Sequence, residues 1–175
     1  MELHRMTHEE RPAGRALYRR SFPARERQSW SHLERLQKEG RAEILTVDDG
    51  GFRGVLIMFL SRDLILGGFL SILPQKRNGG LGAAVIQAIR ERYAGKPVCL
   101  EIEDPEEPGA PNAELRRRRR NFYLRNGIVP IDKMRVYDTD MELLATDETV
   151  TFEAYRAVLC SVLGTPYVDS HLERR

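Results

Sequence analysis

The chain has 175 residues, of which 41% are hydrophobic and 31% are charged, and its formal net charge is +2. This length and composition predict one soluble globular domain with a sizeable core, and they exclude a disordered chain. A net charge so close to zero gives no general electrostatic argument for a nucleic-acid partner.

The polar first residues, the short apolar runs and the two cysteines together predict a cytoplasmic protein. The first ten residues are polar and charged, unlike a signal peptide, and no apolar run reaches the ~18 residues needed to span a bilayer. Cys99 and Cys160 each lie in an apolar stretch without a CxxC or metal-ligand pattern, so we expect two reduced core residues. The four histidines are scattered and predict no metal site.

The first half of the chain predicts a strand, two helices and three strands. Thr7 and Glu10 form a capping-box pair at the start of the first helix, and Gly40 ends the second. Asp48 to Gly51 is a hairpin-type turn. The predicted elements are a strand over 3–6, a helix to about residue 20, a helix over 26–39, and strands over 43–47, 55–60 and 64–73.

The second half adds helices and strands in alternation. A helix with apolar residues at helical spacing follows Gly82 and ends before Pro97. Further on, we expect a strand over 98–103, a helix over 113–126, strands over 128–131 and 135–144, and a helix over 151–163. About seven strands and five helices indicate a mixed α/β fold.

We expect residues 1–146 to form the main domain. Residues 147–175 would then be a C-terminal helix and a polar tail. The apolar side of that helix must be covered, either by its own domain or by a second copy in a homodimer.

The stretch PQKRNGGLGAA, residues 74–84, carries Gly79, Gly80 and Gly82 between a predicted strand and a predicted helix. A helix N-terminus attracts anions, and glycine lets them approach the backbone closely. With Lys76 and Arg77 beside it, the turn predicts a pyrophosphate site, although any tight strand-to-helix turn can use glycine. The stretch lacks the end of a Walker motif and the third small residue of a dinucleotide fingerprint.

A third pattern fits this stretch. Residues 72–82, ILPQKRNGGLG, resemble the V-x-P-x-x-R-x-x-G-x-G signature of the GNAT superfamily of N-acetyltransferases. Residues 123–128, YLRNGI, resemble the second signature of that family, Y-x-x-x-G-F. The predicted order of elements over residues 1–145 is similar as well. The chain is therefore identified as a GNAT-like acyltransferase.

The resemblance implies a central sheet of six to seven strands flanked by helices, with strands 4 and 5 splayed apart around acetyl-CoA. The pyrophosphate would lie on the glycine turn, and backbone amides before it would bind pantetheine and polarise the thioester carbonyl. The cofactor-binding residues implied are Ser71, Ile72, Arg77, Asn78, Gly79, Gly80, Leu81 and Gly82.

The same resemblance gives Tyr123 the role of an acid near the leaving thiolate, the alternative being a core aromatic residue. For the base we expect Glu101 or Glu103, because neighbouring carboxylates on one strand face can raise each other's pKa. Many family members carry Asn and a small residue where this chain has Arg116 and Arg119, which puts some contacts with pantetheine in doubt.

The acceptor is expected to enter beside residues 22–32. Arg25, Glu26, Arg27 and Trp30 are the candidates there, with Arg25 and Trp30 placed first. Trp30 either stacks on a substrate or fills a gap between helices. The run Arg116 to Arg120 covers all sides of a helix and favours salt bridges, with binding of an acidic ligand or of RNA as alternatives.

Together these features predict a cytoplasmic enzyme that moves an acetyl group from acetyl-CoA to a primary amine by direct transfer, without a metal. Cys99 has no nearby candidate base in sequence, which argues against a covalent intermediate. The acceptor would be a small molecule or a peptide. The alternatives are a non-catalytic acyl-CoA sensor and an RNA- or partner-binding module that uses the arginine helix.

Overall fold

The computed structural model describes residues 1–76 and 79–175. These residues form eight strands and six α-helices, so the mixed α/β class is confirmed, with one strand and one helix more than predicted. They divide into two compact units. The first unit contains Met1–Leu60 and Gly67–Ala94, and the second contains Ser61–Leu66 and Gly95–Arg175.

The first unit is an antiparallel sheet covered by helices. Its sheet has the order β1-β2-β3-β4, and α1, α2 and α3 pack on β3, β2 and β1. The elements are β1 (Glu2–Arg5), α1 (Arg11–Ser21), α2 (Trp30–Lys38), β2 (Ala42–Asp48), β3 (Phe52–Leu60), β4 (Ile65–Ile72, of which this unit holds the part from Gly67) and α3 (Leu81–Arg92). Its core is aliphatic, since Leu33, Leu45 and Ile57 are fully buried.

Local sequence explains most of these boundaries. The predicted capping box forms: Thr7 N donates to Glu10 Oε2 at 2.8 Å, and Glu10 N donates to Thr7 Oγ1 at 3.3 Å. The second helix begins at Trp30, four residues later than predicted, because Ser29 caps it. The preceding Gln28 is held outside the helix, since its backbone N–H and C=O both hydrogen-bond the hydroxyl of Tyr18.

The second unit is built around an antiparallel sheet with the order β5-β7-β6-β8. Its elements are β5 (Val98–Glu103), α4 (Ala113–Arg125), β6 (Val129–Val136), β7 (Thr139–Ala145), α5 (Phe152–Leu163), α6 (Thr165–His171) and β8 (Leu172–Arg174). The first two residues of β4 also belong to this unit, and Ile65 N donates to Pro97 O at 3.0 Å beside the start of β5.

Two predictions in this unit need correction. The strand predicted over 135–144 is interrupted by a hairpin turn, since β6 continues to Val136 and β7 begins at Thr139. The turn contains Tyr137 at φ +54°, a left-handed conformation that sequence patterns associate with glycine or asparagine. The C-terminal tail is ordered into α6 and β8, and β8 pairs with β6.

The C-terminal helix α5 buries its apolar side within this unit, where Phe152, Tyr155, Val158 and Val162 are all buried. Among the helices of residues 1–76 and 79–175, none is long and apolar enough to cross a membrane.

Candidate functional site

The glycine turn joins β4 to α3 in the first unit. Pro74–Lys76 forms one 3-10 turn, and α3 begins at Leu81 with Gly80 as its N-cap. The first N–H groups of a helix have no intrahelical acceptor, and in α3 these include the N–H groups of Leu81 and Gly82. The predicted cofactor residues Arg77 and Asn78 lie outside the described residues.

The backbone of this turn is open on one side. Gly80 has φ +79°, which favours glycine. A Cβ atom added at Gly79 or Gly80 would meet no atom of the described residues within 4 Å. Both glycines are exposed. Neither glycine therefore places a side chain over the N-terminus of α3.

Ser71 lies near the end of β4 and is buried. Its hydroxyl is 2.5 Å from that of Ser21 at the end of α1, a partner that no local sequence pattern indicates. β3 approaches so closely that a Cβ at Gly54 would lie 2.4 Å from the carbonyl oxygen of Ser71. Gly54 and Ser21 thus fix the position of Ser71, and Ile72 follows it as the last residue of β4.

The predicted acceptor residues lie at the helices of the first unit. Trp30 is 6% exposed, its Nε1 donates to Glu34 Oε1 at 3.0 Å, and its ring lies 5.8 Å from that of Tyr18. Trp30 therefore packs against Glu34 and Tyr18 and fills a space between the helices. The side chain of Arg25 is 70% exposed and lies 3.8 Å from the carboxylate of Glu26.

In the second unit, Tyr123 lies near the end of α4. The predicted C-cap forms there, because Ile128 N donates to Tyr123 O at 3.1 Å and Gly127 adopts φ +73°. Burial raises the pKa of the Tyr123 phenol, and the charge of Arg119 partly opposes this. Within residues 1–76 and 79–175, no group hydrogen-bonds the Tyr123 hydroxyl.

The two candidate bases have different surroundings. Glu101 is half-buried, burial raises the pKa of its carboxyl, and it accepts a 2.6 Å hydrogen bond from the Tyr155 hydroxyl. Glu103 lies 3.0 Å from a guanidinium nitrogen of Arg116 and 3.2 Å from one of Arg119. The raised pKa of Glu101 is thus a consequence of burial.

Arg116 is the centre of a buried polar network. Its residue is 5% exposed, and its guanidinium donates to Glu103, to Glu107 at 2.5 Å, to the side chain of Asn112 at 2.7 Å and to the carbonyl of Asp104. Asn112 therefore holds Arg116, a role that its place in the sequence did not indicate.

Salt bridges occupy most of the arginine run. Arg117 contacts Glu114, Arg119 contacts Glu103, and Arg120 lies 2.7 Å from the buried Glu142. In the described part of the chain, Arg118 is the one member of the run without a carboxylate partner. This arrangement favours the structural interpretation of the run over an RNA-binding one, because paired guanidinium groups are poor phosphate ligands.

One group of potential metal ligands was not foreseen. The ligand atoms of His4, Glu10 and Asp48 lie within 4.8 Å of one another. Glu10 already accepts hydrogen bonds from Thr7 N and from Thr46 Oγ1, and its carboxylate lies 3.0 Å from His4 Nε2. These hydrogen bonds explain His4 and Glu10 as part of the helix cap, and Asp48 accepts from Gly51 N at 2.8 Å in the hairpin turn.

Of the comparisons with known proteins, the one with solved structures found similar proteins. No family model matches the chain, and no curated protein matches its sequence. Among solved structures, a protein described as a GNAT-family acetyltransferase from Bacteroides thetaiotaomicron is 23% identical, with a TM-score of 0.79 over 94% of this chain and 99% of that one.

Two further structures have stated substrates or ligands. The ribosomal-protein-S18-alanine N-acetyltransferase of Escherichia coli is 17% identical, with a TM-score of 0.60 over 86% of this chain and 98% of that one. Spermidine N-acetyltransferase of Vibrio cholerae, in complex with CoA and spermine, is 12% identical, with a TM-score of 0.61 over 82% and 92%. The chain therefore has the fold of the GNAT acetyltransferases, as the two sequence signatures predicted.

Proposed function

We propose that this chain is an N-acetyltransferase that uses acetyl-CoA as co-substrate and transfers the acetyl group directly to a primary amine. The observation that carries the proposal is the open glycine turn at the N-terminus of α3, in a fold shared with acetyltransferases. One of those structures holds CoA. The turn leads into the first N–H groups of α3 and the positive end of its dipole, which suit a pyrophosphate.

Cofactor binding is assigned to the end of β4 and the turn that follows it. Leu81 and Gly82 would donate their N–H groups to the pyrophosphate, and Gly79 and Gly80 would leave room for it. Arg77 and Asn78 are proposed to contribute on the resemblance alone. The backbone at Ser71 and Ile72 would pair with pantetheine and polarise the thioester carbonyl.

The reaction forms a C–N bond and breaks the C–S bond of the thioester. The attacking amine must lose a proton, and the thiolate of CoA must gain one. Tyr123 is proposed as the donor to sulfur. Its raised pKa keeps the phenol protonated at neutral pH, and its hydroxyl has no hydrogen bond within the described residues that would compete.

Glu101 remains ahead of Glu103 as the proposed base. A carboxyl whose pKa is raised by burial holds a proton more strongly than an ordinary one, as a general base must. Glu103, by contrast, is held by Arg116 and Arg119, which stabilise its charged form.

The test is a thiol-release assay with acetyl-CoA and a panel of primary amines, with mass spectrometry of the product. We expect release of CoA that depends on the amine, and a product heavier by one acetyl group. Cofactor binding without release for any small amine, amino acid or peptide would overturn the enzyme proposal in favour of an acyl-CoA sensor.

A further inference from the structure

We infer that Arg27 binds an anionic group of the acceptor, so that the acceptor is an amine that also carries a carboxylate. This inference rests on the proposed acetyl transfer and narrows its substrate class. It concerns the first unit alone, where Arg27 lies between α1 and α2.

One nitrogen of Arg27 has no hydrogen-bond partner within the described residues. Its Nε is the one buried side-chain nitrogen or oxygen in residues 1–76 and 79–175 that lacks a hydrogen-bond partner. Within these described residues, the side chain of Arg27 forms neither a hydrogen bond nor an ion pair. Buried polar groups are almost always paired, because an unpaired one loses its hydration without compensation. Arg27 as a whole is half-buried, so its buried Nε lies within reach of a partner from outside the chain.

The chain around Arg27 is held in place. The hydroxyl of Tyr18 donates to Gln28 O at 3.1 Å and accepts from Gln28 N at 2.9 Å. Burial raises the pKa of Tyr18 to about 12, and the positive charge of Arg27 partly opposes the rise. The backbone beside Arg27 is thus anchored, which lowers the conformational entropy lost when a ligand binds there.

Aromatic rings connect this charge to the proposed thioester end of the site. The ring of Tyr18 lies 5.7 Å from Phe22 and 5.1 Å from Phe69, measured between centroids. Phe22 and Phe69 are half-buried, so they offer apolar surface to a ligand. Phe69 lies two residues before Ser71 on β4. An acceptor anchored at Arg27 can therefore lie along these rings towards Ser71.

The charges nearby favour an acid over a polyamine. The planar guanidinium matches a carboxylate, whereas it repels an ammonium group. Glu34 is already engaged by Trp30 Nε1 at 3.0 Å and by Arg11 at 3.4 Å. Glu26 is exposed and faces Arg25. The carboxylates beside this surface are thus occupied, and the unoccupied charge is positive.

The experiment uses the single tryptophan as a reporter of binding. Trp30 is the only one in the sequence, and its ring is 5.8 Å from that of Tyr18. Its fluorescence is titrated with pairs that differ by a carboxylate: phenylalanine and phenethylamine, leucine and isopentylamine, lysine and cadaverine. Phosphoethanolamine and ethanolamine form a fourth pair that tests phosphate instead.

We expect at least one amino acid to bind about ten- to a hundredfold more tightly than its decarboxylated partner, as a charge-assisted hydrogen bond implies. Arg27→Gln should abolish that difference. Arg19→Gln, which removes an exposed arginine from α1, should keep it. If Arg27→Gln does not fold, Arg27→Lys replaces it: the charge stays, the planar fork is lost, and the preference should fall.

Three results would overturn the inference: equal binding of acids and amines, a preference that persists without Arg27, or binding of the phosphate pair alone. Absence of binding in all four pairs would do the same.

The proposed function is tested separately by thiol release. Binding that depends on Arg27 without thiol release would overturn the enzyme proposal only, and release with amines that Arg27 does not distinguish would overturn this inference only.

Discussion

The hydroxyl of Tyr155 on α5 donates a 2.6 Å hydrogen bond to the carboxyl of Glu101 on β5. Tyr155 is fully buried. Burial raises the pKa of both groups, and the hydrogen bond only partly offsets this for the carboxyl. A residue of α5 thereby contributes to the pKa of the residue proposed as the base, a connection that the sequence did not reveal.

Glu101 should make stability depend on pH. The folded state binds the proton of Glu101 more tightly than the unfolded chain does, because the carboxyl pKa in the unfolded chain is near the ordinary 4.5. The contribution of this group is therefore fully present below that value and is lost as the pH rises towards the raised folded pKa. Glu101→Gln can still accept from Tyr155 and should increase the free energy of unfolding at neutral pH relative to wild type.

The stability of Glu101→Gln and of wild type is compared by thermal unfolding between about pH 4.5 and pH 8. The exposed Glu106→Gln is the control and should follow the wild-type curve. If Glu101→Gln also follows that curve, Glu101 is not a carboxyl with a raised pKa.

Arg116 should be essential for stability. Arg116→Ala leaves the carboxylates of Glu103 and Glu107 without their partner, and breaking a buried ion pair costs about 3–5 kcal/mol. Arg118→Ala on the same helix should change the free energy of unfolding by no more than about 0.5 kcal/mol, because the side chain is exposed. Urea denaturation distinguishes the two, and equal losses would refute a special role for Arg116.

Tyr123→Phe should lower kcat by about a hundredfold, the usual contribution of a general acid. The affinity for acetyl-CoA and the melting temperature should stay close to wild type, since the hydroxyl has no hydrogen bond in the described residues. Tyr167→Phe, an exposed tyrosine of the same unit, is the matched control. An unchanged kcat in Tyr123→Phe would leave Tyr123 as a packing residue.

Gly54 and Gly79 should respond differently to alanine. At Gly54 the new Cβ would meet the carbonyl oxygen of Ser71 at 2.4 Å, so overpacking should cost about 1–3 kcal/mol and weaken acetyl-CoA binding. At Gly79 the Cβ would meet no atom of residues 1–76 and 79–175 within 4 Å, so Gly79→Ala should be close to neutral for folding. Denaturation of both variants and titration with CoA check this, and a destabilised Gly79→Ala would show that the turn is constrained.

The sequence predicted those parts of the fold that local chemistry determines. The capping box at Thr7 and Glu10, the glycine turn before α3 and the C-cap at Gly127 each follow from residues adjacent in the chain. The backbone conformation at each of these places favours particular residue types, so the sequence pattern alone was enough to predict it. The family signatures extended this to the whole fold.

The remaining features depend on partners distant in sequence. Ser21 meets Ser71 and Tyr155 meets Glu101 only after the chain has folded, and neither pair leaves a local pattern. The hairpin at Tyr137 was missed because its left-handed residue is neither glycine nor asparagine. The unpaired Nε of Arg27 is likewise visible only when all its neighbours are in place.

The most direct test of the proposed cofactor site is calorimetric titration of acetyl-CoA and CoA into the wild type, Gly79→Glu and Gly79→Gln. Gly79 is exposed, and a Cβ added there would meet no atom of the described residues within 4 Å, so both variants should fold. We expect about micromolar binding to the wild type, a moderate loss with Gln from the added side chain, and loss of binding with Glu, whose charge repels the pyrophosphate. No binding to the wild type, or equal affinity in Gly79→Glu, would contradict the assignment of the glycine turn as the acetyl-CoA site.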